Sequence, residues 1–379
     1  MVSILDEELM CRPLRGVSAV WPGSCDAACR ASFLLRARYH GVQSLLSAAL
    51  RSADLSGEWP FDIRQALSRE AVAQAAVGMV QAREITKVVR ALVQAGVRPL
   101  FMKGTPLAYM YYRAPHLRPR ADTDLLIHPL KRETTERALV ALGYERVNAT
   151  RGSLVSYEFA MARLDRSGVT HVVDVHWRVS NRQVFADALA YDECMAESVA
   201  VPRLGARALG PMHALLLACM HRVTHVTVAY DSDGVAHLGD RLIWLYDIHL
   251  LVTRMARTEL QRFAQLAGDR RVRQVCVDGL TQTQRHLGTS LPGDVLETLA
   301  APGPRELSAQ YLDLGRMHCL IRDVQSLPNW RDRLRLSKEH VFPPVDYMLE
   351  KYEVSRRAWL PALYLHRGMR GAWRLLREK

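Results

Sequence analysis

No apolar run of the roughly 18 residues that a membrane-spanning helix needs occurs anywhere in the 379-residue chain. The N-terminus, Met-Val-Ser-Ile-Leu-Asp-Glu-Glu, has neither the basic start nor the apolar stretch of a secretion signal. The expectation is therefore a soluble, cytoplasmic protein. Cysteines number only seven, an odd count, and Cys25 and Cys29 form the one close pair. A disulfide framework is not expected, and no second Cys/His pair stands near enough to complete a zinc site, so the thiols read as reduced and structural. There is no internal repeat and no low-complexity segment. With 49% hydrophobic residues the chain has ample material for a core, which argues against disorder. Zinc-finger, RRM-like and helix-turn-helix patterns are missing too. His221 and His225 have the i, i+4 spacing of a helical metal pair, but no His-Glu-x-x-His accompanies them. They read as helix-face histidines lining a cleft or the core.

Positive charge is in excess: 51 Lys and Arg against 39 Asp and Glu give a net charge of +12. That balance favours polyanions or an anionic small substrate as partners. About half of the excess follows Glu350, from Lys351, Arg356, Arg357, Arg367, Arg370, Arg374, Arg377 and Lys379. Across 354–377 the residues Trp359, Leu363, His366, Arg370 and Trp373 fall at helical spacing. The favoured reading is a terminal helix packing its tryptophans on the body with solvated arginines. A nucleic-acid or membrane-surface contact is the alternative.

Helical periodicity marks Ala27–Ser52 and Ser68–Ala95, the second closed by Gly96. Both are expected to act as scaffold or lid. Val97–Met102 then reads as a buried strand and Thr105–Tyr112 as a helix with Pro106 in its first turn. After a Pro-punctuated loop holding Arg113, Arg118 and Arg120 comes Ala121–Ile127, a strand on which Asp122 and Asp124 leave one face. Lys131–Leu142 reads as a helix, and Tyr144–Asn148, Ser153–Ala162 and Val169–Val175 as strands, the last two joined by a turn at Asp165–Gly168. In the last strand Asp174 stands where an apolar residue is expected. Helices follow from Pro211 and over Arg241–Met255, Gln274–Leu287 and Gly303–Val324, with a candidate mobile loop at Asp231–Gly239. This order suits a mixed sheet with helices packed on it.

Two carboxylates about 4 Å apart repel by roughly 4 kcal/mol at an effective dielectric near 20. Asp122, Asp124 and Asp174 therefore point to a shared cation. The Lys103-Gly104-Thr105 turn opens a helix, where free N–H groups and the dipole favour phosphate, and the Arg118 and Arg120 forks suit phosphate or a structural acid equally. His176, two residues after Asp174, is expected on the same strand face, orienting a ligand or hydrogen-bonding a metal-bound carboxylate.

Together these residues resemble the polymerase-beta-type nucleotidyltransferase superfamily. Within it they look like an uncharacterised bacterial nucleotidyltransferase family, on Lys103-Gly104, Arg118, Asp122-Thr123-Asp124-Leu125-Leu126 and Asp174-Val175-His176-Trp177, with a weaker part reaching Arg241–Asp247. The resemblance implies an α+β fold, a mixed-sheet nucleotidyltransferase core embedded between helical regions. The expected divisions are a helical region at 1–85, the core at 86–200, a helical domain at 201–340 and a basic helical segment at 341–379. It also implies Mg2+ or Mn2+ on Asp122, Asp124 and Asp174, and an NTP such as ATP bound through Lys103, Gly104, Thr105, Arg118 and Arg120. The acceptor, whether small molecule, peptide, protein or RNA, stays open. So do a catalytically silent fold that only binds and a nucleic-acid-binding role for the C-terminus.

Overall fold

A computed structural model of the protein describes residues 2–51, 59–147, 152–226, 230–232, 235–237, 239–313 and 315–377. The helices before the sheet are α1 (Val2–Leu14), α2 (Ala27–His40), α3 (Gln43–Ala49) and α4 (Phe61–Gln94). The expected single helix at Ala27–Ser52 is two helices, because Gly41 closes α2 in the left-handed conformation at φ 70. A Cβ there would come within 3.2 Å of Ile243 Cγ2, so the break also admits a close neighbour. The structure joins Cys25 to Cys29, which corrects the expectation of two reduced thiols. Cys29 lies in the first turn of α2, where its N–H donates to Asp26 Oδ1 at 2.9 Å, and this turn brings the two thiols together.

The central sheet is mixed and has the order β3-β4-β5-β2-β1-β7-β6. Its strands are β1 (Leu100–Met102), β2 (Asp122–Leu126), β3 (Glu145–Arg146), β4 (Glu158–Leu164), β5 (Thr170–His176), β6 (Val199–Val201) and β7 (Ala206–Ala208). β2 runs parallel to β5 and antiparallel to β1. Helix α5 (Gly104–Met110) follows β1, and α6 (Arg132–Ala141) follows β2. The alternation of side chains along a strand splits the sheet's contacts between its faces. Phe101, Leu125, Phe159, Met161, Val173 and Val175 pack on Ile85, Val88, Val89 and Leu92 of α4 and on Leu139 of α6. Leu100, Met102 and Leu126 belong to the other, larger core. The second half of α4 thus covers this face of the sheet.

Short helices α7 (Gln183–Ala186) and α8 (Tyr191–Ala196) lead through β6 and β7 to α9 (Pro211–His225), α10 (Leu242–Arg254), α11 (Arg257–Asp269), α12 (Arg273–Leu287) and α13 (Gly293–Ala300). Leu215, Leu216, Leu245, Ile248, Phe263 and Cys276 form the middle of the larger core. Ser52, Asn148 and part of the Asp231–Gly239 loop lie outside the described residues. What is described of that loop is a hairpin, with Tyr230–Ser232 antiparallel to Val235–His237. The helix expected over Gly303–Val324 is instead a 3-10 turn at Ser308–Leu312 and a helix, α14 (Arg316–Ser326), that starts after Gly315.

The chain ends in α15 (Trp330–Val341), α16 (Val345–Lys351) and α17 (Leu360–Arg377). α17 does not bury tryptophans against the body as expected: Trp373 is 54% exposed, and Trp359, in the 3-10 turn before the helix, 58%. It docks through Tyr364, whose hydroxyl donates to Pro343 O at 2.7 Å, and through Arg367, whose Nη2 donates to His340 O at 3.2 Å. The strand expected from Ser153 begins only at Glu158 for a related reason. Ser153 N, Leu154 N and Val155 N donate to the Glu339 carboxylate at 3.1, 3.0 and 3.0 Å instead of entering the sheet. Burial alone would raise the Glu339 carboxyl, but the backbone donors outweigh it and hold it low. Among the described residues no helix is long and apolar enough to cross a membrane.

Glu339 is therefore the latch between the last helices and the sheet. Glu339→Ala should lower stability by about 2 kcal/mol, since it strands donors that a charged acceptor now satisfies. Amide exchange at 153–155 should rise with it. Unchanged protection there would show that the latch does not hold this loop.

Candidate functional site

The parallel register of β2 and β5 places Asp124 directly beside Asp174. Both leave the sheet on the face opposite the α4 layer. His176 comes two residues after Asp174, and the antiparallel partner strand sets Glu158 opposite it. Among the described residues Asp124, Asp174 and His176 form the one set whose ligand atoms lie within 4.8 Å of one another and could hold a metal ion. Asp122, expected as the third carboxylate, is not in that set. It is exposed at the wall of the same cavity, at the first position of β2.

Asp124 is almost enclosed by cations. Lys103 Nζ lies 2.6 Å from its Oδ1, and His176 Nε2 lies 3.1 Å from the same oxygen. Glu158 Oε2 closes the chain at 2.9 Å from His176 Nδ1, an ionic contact out of line for a hydrogen bond. Burial acts first on Asp124 and would raise its pKa, but Lys103 and His176 overcome it and keep the carboxylate ionised. Glu158 behaves likewise: burial is outweighed by His176, and its carboxyl falls to about 2. Asp174 has no such partner. Burial, followed by the charges of Asp124 and Asp122, pushes its carboxyl up to about 7. Asp122 is raised too, by the cavity walls crowding its carboxyl first and by Asp124 next, although part of its side chain reaches solvent.

The turn that delivers Lys103 is strained. Its backbone adopts φ 58 and ψ −135, a conformation that a residue with a Cβ holds at a cost of roughly 1–3 kcal/mol. Leu100, Phe101 and Met102 anchor the turn on one side, all fully buried. On the other, Gly104 lies under the Arg118 guanidinium, and a Cβ at Gly104 would meet Nη2 at 3.2 Å. The close approach that this glycine permits is thus already used by a side chain of the protein. Thr105 is buried with its hydroxyl unpartnered and does not line the cavity.

Arg118 and Arg120 are placed differently. Arg118 forks onto Asp247 of α10, with Nε to Oδ1 at 2.9 Å and Nη2 to Oδ2 at 2.8 Å, while Tyr112 donates to Oδ1 at 2.6 Å. It is committed to an acid, though to neither Asp122 nor Asp174. Arg120 lies 5.3 Å from the Tyr109 ring centroid and donates weakly to its hydroxyl at 3.4 Å. Its Nε is buried without a partner, so Arg120 is the arginine with donors to spare at the cavity wall.

Glu158 and Asp247 are the two residues whose place in the site went unread. Glu158 alternates with Ala160 and Ala162 along β4, an acid in an otherwise small-residue row, the same irregularity that singles out Asp174. The far wall of the cavity comes from α9 and α10. His221 and His225 stack with ring centroids 4.1 Å apart and lie 5.5 and 6.0 Å from Trp244. Burial first, then neighbouring positive groups, lowers the pKa of His221, which keeps that imidazole neutral. The pair lines the cleft, as the absence of a metal motif suggested.

A family model described as an uncharacterised nucleotidyltransferase matches residues 30–288, about two thirds of the chain. No curated protein matches it. The matched span contains the acid strands, the Lys103 turn, the Arg118–Asp247 pair and the two stacked histidines, and it stops before α13.

The raised carboxyl of Asp174 makes a pH test possible. Its folded pKa, about 7, exceeds the unfolded value, so the folded protein binds an extra proton between the two. Without divalent cations, this group's contribution should favour the fold at acid pH and be lost as pH rises towards 7. Asp174→Asn removes the group, so its stability relative to wild type should improve from pH 5 to pH 8, by on the order of a few kcal/mol. Mn2+ should stabilise wild type more at pH 8 than at pH 5, because it must displace the proton. A wild-type minus variant difference independent of pH would show that Asp174 is not raised.

Proposed function

Because the chain belongs to this uncharacterised nucleotidyltransferase family, we propose that it moves a nucleoside monophosphate from an NTP to a hydroxyl or similar acceptor, using Mg2+ or Mn2+. The observation that carries the reading is Asp124 set beside Asp174 with His176, three donors clustered in one large cavity. The donor set fits a divalent cation: burial first, then the neighbouring charges of Asp124 and Asp122, raise the Asp174 carboxyl, and a cation would relieve both. Asp124, Asp174 and His176 would hold it, with Asp122 at the cavity wall available to a second. When bound, the ion would supply charge stabilisation for the α-phosphoryl group and lower the pKa of the attacking hydroxyl.

The residues of the chain do the rest. Lys103 neutralises Asp124 until the nucleotide and its cation compete for that carboxylate, and its ammonium then meets the phosphates. Arg120, with an unpartnered Nε, is the second phosphate donor. Glu158 holds His176 so that Nε2 faces Asp124. In the transfer the acceptor oxygen bonds to the α-phosphorus, the bond to the bridging oxygen breaks, and pyrophosphate leaves towards Lys103 and Arg120. Asp174, which a bound cation would hold ionised, stands beside Asp124 where it could take the acceptor's proton.

One observation favours a second reading, a nucleotide-binding fold without transfer. The Lys103 ammonium lies 2.6 Å from Asp124 and already supplies the positive charge that a metal would bring. Both readings meet the same experiment. The protein is incubated with each labelled NTP, Mg2+ or Mn2+ and cell extract, and label transfer, intact mass and NTP affinity are followed. Asp124→Asn should reduce transfer by about 100-fold or more and abolish cation-dependent NTP affinity, whereas Asp174→Asn should lose transfer but retain most NTP affinity. NTP binding that ignores the cation, with no labelled product, would favour the silent fold.

A further inference from the structure

The cavity extends past the acids into a corner built largely by segments beyond residue 288, where the family match ends. Its volume of about 1140 Å³ exceeds the 300 to 1,000 Å³ or so of a pocket for one small ligand. It has room for a nucleotide at the sheet and a second molecule beside it. The corner is lined by Arg182, which follows β5, by His340 of α15, by Tyr347 and Lys351 of α16 and by Arg367 of α17.

Its charge is unbalanced. Lys351 Nζ lies 3.0 Å from Tyr347 Oη, and the Arg367 guanidinium lies 5.7 Å from the centroid of the same ring, so two cations flank one phenol. The nearby carboxylates are engaged elsewhere. Asp323 accepts from Tyr311 at 2.6 Å and pairs with Arg182 at 3.5 Å. Glu339 is occupied by the 153–155 backbone and by Arg335 at 3.4 Å. Among the described residues no carboxylate pairs with Lys351 or Arg367. Two other groups report the same positive field. Burial, then Arg182 and Arg367, pushes His340 down to about 4. Burial would raise Tyr347, but Lys351 and Arg367 lower it.

Resting on the nucleotidyl-transfer reading, we propose that Lys351 and Arg367, with Arg182 beside them, seat a phosphate group of the acceptor, so that the acceptor is a phosphorylated small molecule. Phosphate fits because the local excess exceeds one positive charge and the arginine forks match its oxygens. The nucleotide's own phosphates are the other source of the same chemistry. They are drawn instead to the sheet, where Lys103 and Arg120 stand. Apart from Arg182, the corner comes from chain outside the shared family region, where a specific acceptor would be recognised.

Inorganic phosphate is the probe, titrated calorimetrically into the full-length protein holding Mg2+ and a non-hydrolysable ATP analogue. Wild type should bind it with an affinity that falls as salt rises. The double variant Lys351→Gln/Arg367→Gln should weaken phosphate by about tenfold or more while changing the analogue's affinity less than about twofold. Arg367→Lys should lose less than the double variant. Since Arg367 also holds α17, Lys351→Gln alone serves as the control for folding. The Lys351 ammonium touches the Tyr347 side chain, and this variant should weaken phosphate without lowering the melting temperature. Phosphate that fails to bind wild type, or binds all variants equally, overturns the proposal. Phosphate that competes with the analogue, with both affinities falling together in the double variant, assigns the corner to the nucleotide's tail and equally overturns it. Asp124→Asn keeps the two levels apart. Phosphate binding retained there while cation-dependent NTP binding is lost would be the expected pattern, and failure of transfer in wild type would leave the phosphate result to stand or fall by itself.

Discussion

The protein is arranged around one unfavourable contact, two carboxylates placed side by side on neighbouring parallel strands. The pairing of Asp124 with Asp174 is dictated by register, because shifting β2 by one residue would turn Leu125 towards the cavity and bury both acids of the Asp-x-Asp in the α4 layer. The sheet cannot relax the repulsion by moving either acid. It is answered by unequal treatment instead. Asp124 receives Lys103 and His176 and stays ionised, while Asp174 receives no cation and is pushed towards neutrality. Two chemically identical groups less than 5 Å apart thereby come to differ in charge state near pH 7.

A second constraint ties this sheet to the helices around it. Arg118 leaves the loop before β2, lies across the Gly104 backbone and forks onto Asp247 in the middle of α10. Tyr112 completes the acid's coordination from just beyond α5. Burial would lower the Arg118 pKa, but Asp247 reverses it and locks the charge in place. Breaking one member of such a pair leaves a buried charge uncompensated, a penalty of roughly 3–5 kcal/mol. The strained turn at Lys103, the arginine loop and α10 are therefore one mechanical unit. The same three elements supply Lys103, Arg120 and Trp244 to the cavity, so the geometry of the floor and of the helical wall is set together.

The acid strands were legible because buried charge violates strand patterning, and the violation is visible in the sequence itself. Asp122, Asp124, Asp174 and His176 all occupy positions where alternation predicts what faces what. The α+β class was legible for the same reason: long 3.6-residue periods on either side of short apolar runs. What could not be read was pairing across the chain. Nothing local to Arg118 names Asp247, 129 residues away, as its partner. Nothing local to Ser153 says that its N–H will find Glu339 rather than a neighbouring strand, which is why β4 starts later than its pattern suggests. Trp359 and Trp373 misled in the opposite direction. Their helical spacing is real, yet Tyr364 and Arg367, on the other side of the helix, make the contacts with the body.

The placement of α15 to α17 also explains how one family core can serve a particular acceptor. The matched region supplies the acids, the lysine turn and the arginine lock, which on the proposed reading serve the nucleotide and its cation whatever the acceptor. The remaining wall must be added by chain outside that region. It must also be held rigidly enough to keep a second molecule in line with the first. Glu339 meets that demand by gripping three consecutive backbone amides next to β4, the strand that carries Glu158. The corner is thus fastened to the same strand that orients His176. From Glu158 the contacts run on to His176 at 2.9 Å and from His176 to Asp124 at 3.1 Å, so the C-terminal helices and the acid pair are packed against one strand.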